Sequence, residues 1–113
     1  MTISAVNLTA PVFVSTGSVK EYTVPANTTT VIKEASLSNT STVSAVKVTV
    51  NLVPSAGSVT TANVVTPGVT VAASAVYLFP ELVNKVMPAG AMLYVKDDTG
   101  GISVFEASGV QIV

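Results

Sequence analysis

The chain has 113 residues, a formal net charge of −1, 10% charged residues, and no cysteine, histidine or tryptophan. That length suits one domain with its own core, and the missing cysteines and histidines exclude disulfides, thiolate metal sites and the commonest catalytic base. Arginine is absent and the lysines (Lys20, Lys33, Lys47, Lys85, Lys96) are scattered, so there is none of the clustered positive charge that nucleic-acid binding needs.

Valine, threonine and serine dominate, which favours strands and turns and makes all-β the expected class. No apolar run reaches the roughly 18 residues of a membrane span, so no membrane partner is expected. The opening MTISAVNLTA lacks a basic region followed by an apolar stretch, so no signal peptide is expected either. Ordinary soluble domains are about a quarter charged. So low a charge points to a surface partly covered by a partner, rather than one solvated by Thr, Ser and Asn alone.

Met1–Ser15 reads as an extended arm or an edge strand, because Pro11 cannot donate to a ladder. Thr16–Ser18 is a turn, Val19–Val24 a short strand, and Pro25–Asn27 another turn. In Thr28–Ser38, Val31, Ala35 and Leu37 share a face with Lys33 while Ile32 lies opposite, which implies a β-bulge or a strand end. Asn39–Thr42 is a polar loop. Val43–Pro54 has the plainest pattern in the chain: Val46, Val48, Val50 and Leu52 point one way, and Lys47, Thr49, Asn51 and Val53 the other. Thr28–Ser38 and Val43–Val53 are expected to pair as antiparallel neighbours.

Pro54–Ser58 is a loop, followed by strand-like sequence with Pro67-Gly68 as a turn. Beyond that turn, the small residues Ala72 to Ala75 separate two strands, Val69–Val71 and Ala75–Phe79. Pro80–Val86 is predicted as one short helical turn, with proline presetting φ at its start and Glu81 early and Lys85 late, closing one end with Leu82, Val83 and Val86. Ala91–Lys96 and Ile102–Ala107 are expected to form a hairpin about Asp97–Gly101, and Ser108-Gly109 to offset a last strand, Val110–Val113.

Residues capable of chemistry are few. Asp97-Asp98 is the one carboxylate cluster, but the alternating ligands and distal Glu of a dedicated calcium loop are missing. Glu81 and Glu106 could form a glycosidase-type pair only beside an aromatic, sugar-lined cleft, for which the chain lacks tryptophan. Serine and threonine abound with no histidine to activate them. Gly57, Gly68, Gly90, Gly100, Gly101 and Gly109 read as strand-boundary punctuation, and Tyr22, Tyr77 and Tyr94 as packing or interface residues. The expectation is a protein that is not an enzyme, with no catalytic, cofactor-binding or metal-binding residues and no cofactor.

Several segments resemble a known group when taken together: Val31-Ile32-Lys33 with Leu37-Ser38-Asn39-Thr40, Val48-Thr49-Val50-Asn51-Leu52-Val53-Pro54-Ser55, Tyr77-Leu78-Phe79-Pro80-Glu81-Leu82, Pro88-Ala89-Gly90 and Ala107-Ser108-Gly109-Val110. In that order they look like the small virion structural proteins of tailed bacteriophages, over about Val24 to Val113. The resemblance implies a component of the virion, assembled in the host cytoplasm. The best fit is a capsid cement or decoration protein that bridges subunits of the major capsid protein as a homo-dimer or homo-trimer. A tail-, neck- or fibre-associated virion protein, or a carbohydrate-binding module, is the alternative. Joined with the residue-level reading, the expected fold is a single domain over 1–113: an antiparallel β-sandwich of about eight strands, jelly-roll-like, with the helical turn at 80–86.

Overall fold

The computed structural model describes Met1 through Val113. Its strands are β1 (Ile3–Phe13), β2 (Val19–Thr23), β3 (Thr29–Asn39), β4 (Val46–Val53), β5 (Val64–Val71), β6 (Val76–Tyr77), β7 (Val86–Met87), β8 (Met92–Asp97) and β9 (Ser103–Ile112), with a 3-10 turn at Thr61–Asn63. A five-stranded sheet runs β1-β9-β3-β6, with β7 pairing with β3 farther along the edge that β6 occupies. A four-stranded sheet runs β2-β8-β4-β5. All pairings are antiparallel. The fold is therefore all-β, two antiparallel sheets in a sandwich-like arrangement. There are nine strands against an expected eight or so; β6 falls within the expected Ala75–Phe79 strand, and β7 begins in the stretch expected to be a helical turn.

The core lies between the sheets. Val46, Val48 and Val50 of β4 with Leu93 and Val95 of β8 meet Ile32, Ala35 and Leu37 of β3 with Phe105 and Ala107 of β9. Leu52 keeps the expected parity and packs at the rim of this cluster. Asn51, on the opposite parity, is buried all the same, because the 3-10 turn folds over it and Asn51 Nδ2 donates to Thr60 O and Asn63 Oδ1. The strand-like reading of this stretch missed that turn, which Thr60 caps through the Ala62 N–H.

The expected pairing of β3 with β4 does not occur. β3 bonds to β9, β6 and β7, and β4 bonds to β8 and β5, in opposite sheets. The polar loop after β3 crosses the sandwich instead. Buried Asn39 holds the crossing: its Nδ2 donates to Ser44 O, Val71 O and Ala72 O, and its Oδ1 accepts from Ser41 N. Each strand has an apolar face to bury, and facing each other across the core satisfies both as well as lying side by side would.

The predicted hairpin of β8 and β9 is corrected in the same way, since those strands also lie in different sheets. Asp97 is the corner. Buried, it accepts from Thr99 N at 3.0 Å, from Gly100 N at 2.6 Å and from Ser103 Oγ at 2.5 Å, and Gly100 and Gly101 take positive φ there.

Pro80–Val86 is not helical. Leu82 N donates to Phe79 O and Lys85 N to Leu82 O, two successive turns, with Asn84 at φ 66, which asparagine tolerates. Val86 leaves these turns to enter β7 against Val31. Of the expected plug residues only Leu82 is buried, together with Phe79, whose ring meets Phe105 edge-on at a centroid distance of 5.5 Å. Val83 and Val86 are exposed.

Two expected breaks are bulges inside continuous strands. Pro67-Gly68 lies within β5, where Val48 faces Val69 but Val50 faces Thr66, and Gly68 supplies a φ of 67. Gly109 lies within β9 opposite a bulge in β3 between Ile32 and Glu34. That bulge resolves the ambiguous pattern around Lys33: Thr30 and Ile32 face the core before it and Ala35 and Leu37 after it, while Val31 and Lys33 face outward. Val31 therefore does not share a face with Ala35 and Leu37.

Candidate functional site

The residues that sequence reading singled out for chemistry are not brought together. Both Asp97 oxygens accept bonds within the corner, and Asp98 Oδ1 accepts from Lys47 N at 2.9 Å. No three His, Cys, Asp or Glu side chains form a group able to hold a metal ion. Glu81 accepts from Tyr77 OH at 2.7 Å and from the Thr66 hydroxyl. Burial pushes the Glu81 carboxyl up, but the bonds from Thr66, Tyr77 and its own backbone N–H outweigh this and hold it below the ordinary value. A carboxyl held ionised is a poor proton donor. Glu106 lies elsewhere, on the outer face of β9, where it accepts from Ser36 Oγ at 3.3 Å.

The tyrosines are structural. Tyr22 reaches from β2 across the sandwich to Thr30 and Gln111, Tyr77 packs edge-on against Phe79, and Tyr94 OH points to the Met92 sulfur. Burial first, then the hydrogen bond to Glu81 and its charge, push the Tyr77 phenol up to about 12.

Exposed apolar side chains gather on the outer face of the five-stranded sheet. Because Phe105, Ala107 and Gly109 of β9 face inward, Val104, Glu106, Ser108, Val110 and Ile112 face out. Register then builds two apolar rows across the strands. One is Ala5, Val110, Val31 and Val86, with Ile3 and Ile112 beside it. The other, at the opposite end, is Phe13, Val104 and Val76, interrupted by Ser38 between Val104 and Val76. Exposures of 59% at Ile3, 60% at Phe13, 58% at Val76 and 63% at Val86 leave large side chains in water at both ends, an arrangement more typical of a contact surface than of scattered apolar residues. Between the rows lies a polar band of Asn7, Glu34, Ser36, Glu106 and Ser108, around a depression of about 210 Å³.

Sequence reading did not find this face, because its rows join residues from strands whose pairing partners it had assigned differently. The signal was the outward parity of Val104, Val110 and Ile112, readable once β9 is continuous through Gly109.

No protein-family model matches the chain, and no curated protein matches it.

Proposed function

We propose that the protein is a virion structural component of a tailed bacteriophage, a capsid cement or decoration protein that bridges subunits of the major capsid protein. In this reading it sits on the capsid surface as a homo-oligomer and acts by contact, without cofactor or turnover. The observation that carries it is the pair of apolar rows on the outer face of the five-stranded sheet, open to water at Ile3, Phe13, Val76 and Val86. Covering such rows against a shell seam, at roughly 800 Å² per partner, removes apolar surface from water and leaves the polar band to bond at the centre.

Three features support the reading. The molecule is a slab of 47 × 27 × 20 Å, wide enough to lie across a seam. With 10% charged residues it has little charge to desolvate on docking. The interleaved strand orders β1-β9-β3-β6 and β2-β8-β4-β5 support a jelly-roll arrangement, an architecture common in capsid proteins.

The test is copy number in purified particles. Stoichiometry comparable to the major capsid protein is expected. A count on the order of tens or fewer would assign the protein to the neck or tail, and absence from the particle would end the virion reading.

A further inference from the structure

Every open sheet has edges, and this fold treats them unequally. β2 has five residues, two of them charged (Lys20 and Glu21), and a register shift. β5 carries Pro67, the positive-φ Gly68 and two register shifts. β6 and β7 have two residues each. β1 is different: from Ile3 to Asn7 its register against β9 is unbroken, with no charged side chain, and Pro11 lies farther along, within the second of two shifts that come after Asn7. Its far half is tied to the other sheet, where the Thr9 hydroxyl donates to Glu21 O at 3.3 Å. The near half is bare.

The direction of its free backbone groups is set by the ladder. Thr2 and Val113 exchange both N–H···O bonds at 2.9 Å, so Thr2 bonds inward. Antiparallel alternation then turns Ser4 and Val6 inward and leaves the N–H and C=O of Ile3, Ala5 and Asn7 pointing away from the sheet.

We infer that a second copy of this chain pairs on that edge, β1 against β1, antiparallel about a two-fold axis through Ala5. Only in this register do all three outward residues find outward partners: Ile3 meets the partner's Asn7, Ala5 meets the partner's Ala5, and Asn7 meets the partner's Ile3, giving about six backbone bonds, against about four after a slip of two residues. A slip of one residue sets outward groups against inward ones and loses the ladder. The smallest side chain of the three sits on the axis. Two five-stranded sheets become one, and the row Ala5, Val110, Val31, Val86 of each copy continues into its mate as a double-width apolar face. The pairing deepens the homo-oligomeric part of the reading above, on which it rests, and is independent of the capsid.

The sequence has no cysteine, so Ala5→Cys gives a clean probe. Paired residues of this type lie about 5.5 Å apart at Cα, within disulfide range. Mild oxidation is expected to convert most of the A5C protein to a covalent dimer, whereas Ser4→Cys, whose mate is displaced by two residues, stays single on a denaturing gel. Ala5→Pro removes an outward N–H, and in analytical ultracentrifugation it is expected to halve the mass of the wild-type particle while the circular dichroism of the folded sheet is kept. A5C that resists cross-linking overturns the pairing, as does an A5P mass equal to that of wild type. If A5P fails to fold, the A5C and S4C pair decides alone. A cross-linked dimer that is missing from particles leaves the pairing standing and removes the capsid reading. A dimer held by another surface does the reverse.

Discussion

Tyr22 on β2 and Thr30 on β3 meet hydroxyl to hydroxyl at 2.7 Å, joining the two sheets through their polar tips. Gln111 Nε2 donates to the same Tyr22 oxygen at 2.7 Å, and either hydroxyl of the Tyr22–Thr30 pair can donate to the other, with the Thr30 side chain fully buried. Tyr22→Phe removes the acceptor of the Gln111 bond and the partner of the Thr30 hydroxyl. It is expected to lower unfolding free energy by about 1–3 kcal/mol, read as a lower urea midpoint at unchanged slope.

Gly109 sets how closely β9 can approach the bulge in β3. A β-carbon there would overlap the Val31 carbonyl oxygen, which is backbone and cannot swing away. Gly109→Ala is expected to destabilise by about 3 kcal/mol or more. Gly101→Ala, with a φ of 75 but nothing within 4 Å of an added carbon, is expected to cost only about 1–2 kcal/mol. Thermal melts of the two variants separate steric contact from backbone strain.

Glu81 and Tyr77 are expected to contribute to the pH dependence of stability, Glu81 on the acid side and Tyr77 on the alkaline side. The Glu81 carboxyl is lowered from 4.5, so the folded state binds the proton less readily than the unfolded one. Its contribution is complete above pH 4.5 and is lost as pH falls through the folded value. The Tyr77 phenol is raised from 10.0 to about 12, so its contribution is complete below pH 10 and is lost as pH climbs toward 12. Glu81→Gln is expected to flatten the acid shoulder in denaturant titrations while the alkaline one survives in part, because burial is the largest cause of the Tyr77 shift.

Leu82 and Val83 are neighbours with opposite duties. Leu82 is buried in the core at the end of the sandwich, and Val83 is exposed. Leu82→Ala is expected to cost about 2–5 kcal/mol and Val83→Ala within about 0.5 kcal/mol. Equal losses would mean that the turns at Pro80–Asn84 pack otherwise.

Val86→Lys tests the outer face apart from folding. The side chain is 63% exposed on the apolar row, so Tm is expected to hold within a few degrees. Binding to particles stripped of the protein is expected to fall at least tenfold, a charge having been set in a dry seam. Unchanged binding would move the contact to another surface.

Sequence alone determined what a strand can report about itself. The alternation through Val46, Val48 and Val50, the break at Ala72–Ala75 and the irregularity at Lys33 are local facts, fixed by which side chains water excludes along one ribbon. The all-β class is their consequence. Tertiary structure decided the partners: that β3 faces β4 instead of pairing with it, that Asp97 turns a corner between sheets, and that Gly68 and Gly109 bend strands without ending them. Backbone hydrogen bonds are alike for every strand, so nothing in one segment names its neighbour. The choice falls to long-range packing, and the outer face and the bare edge of β1 come into existence only once it is made.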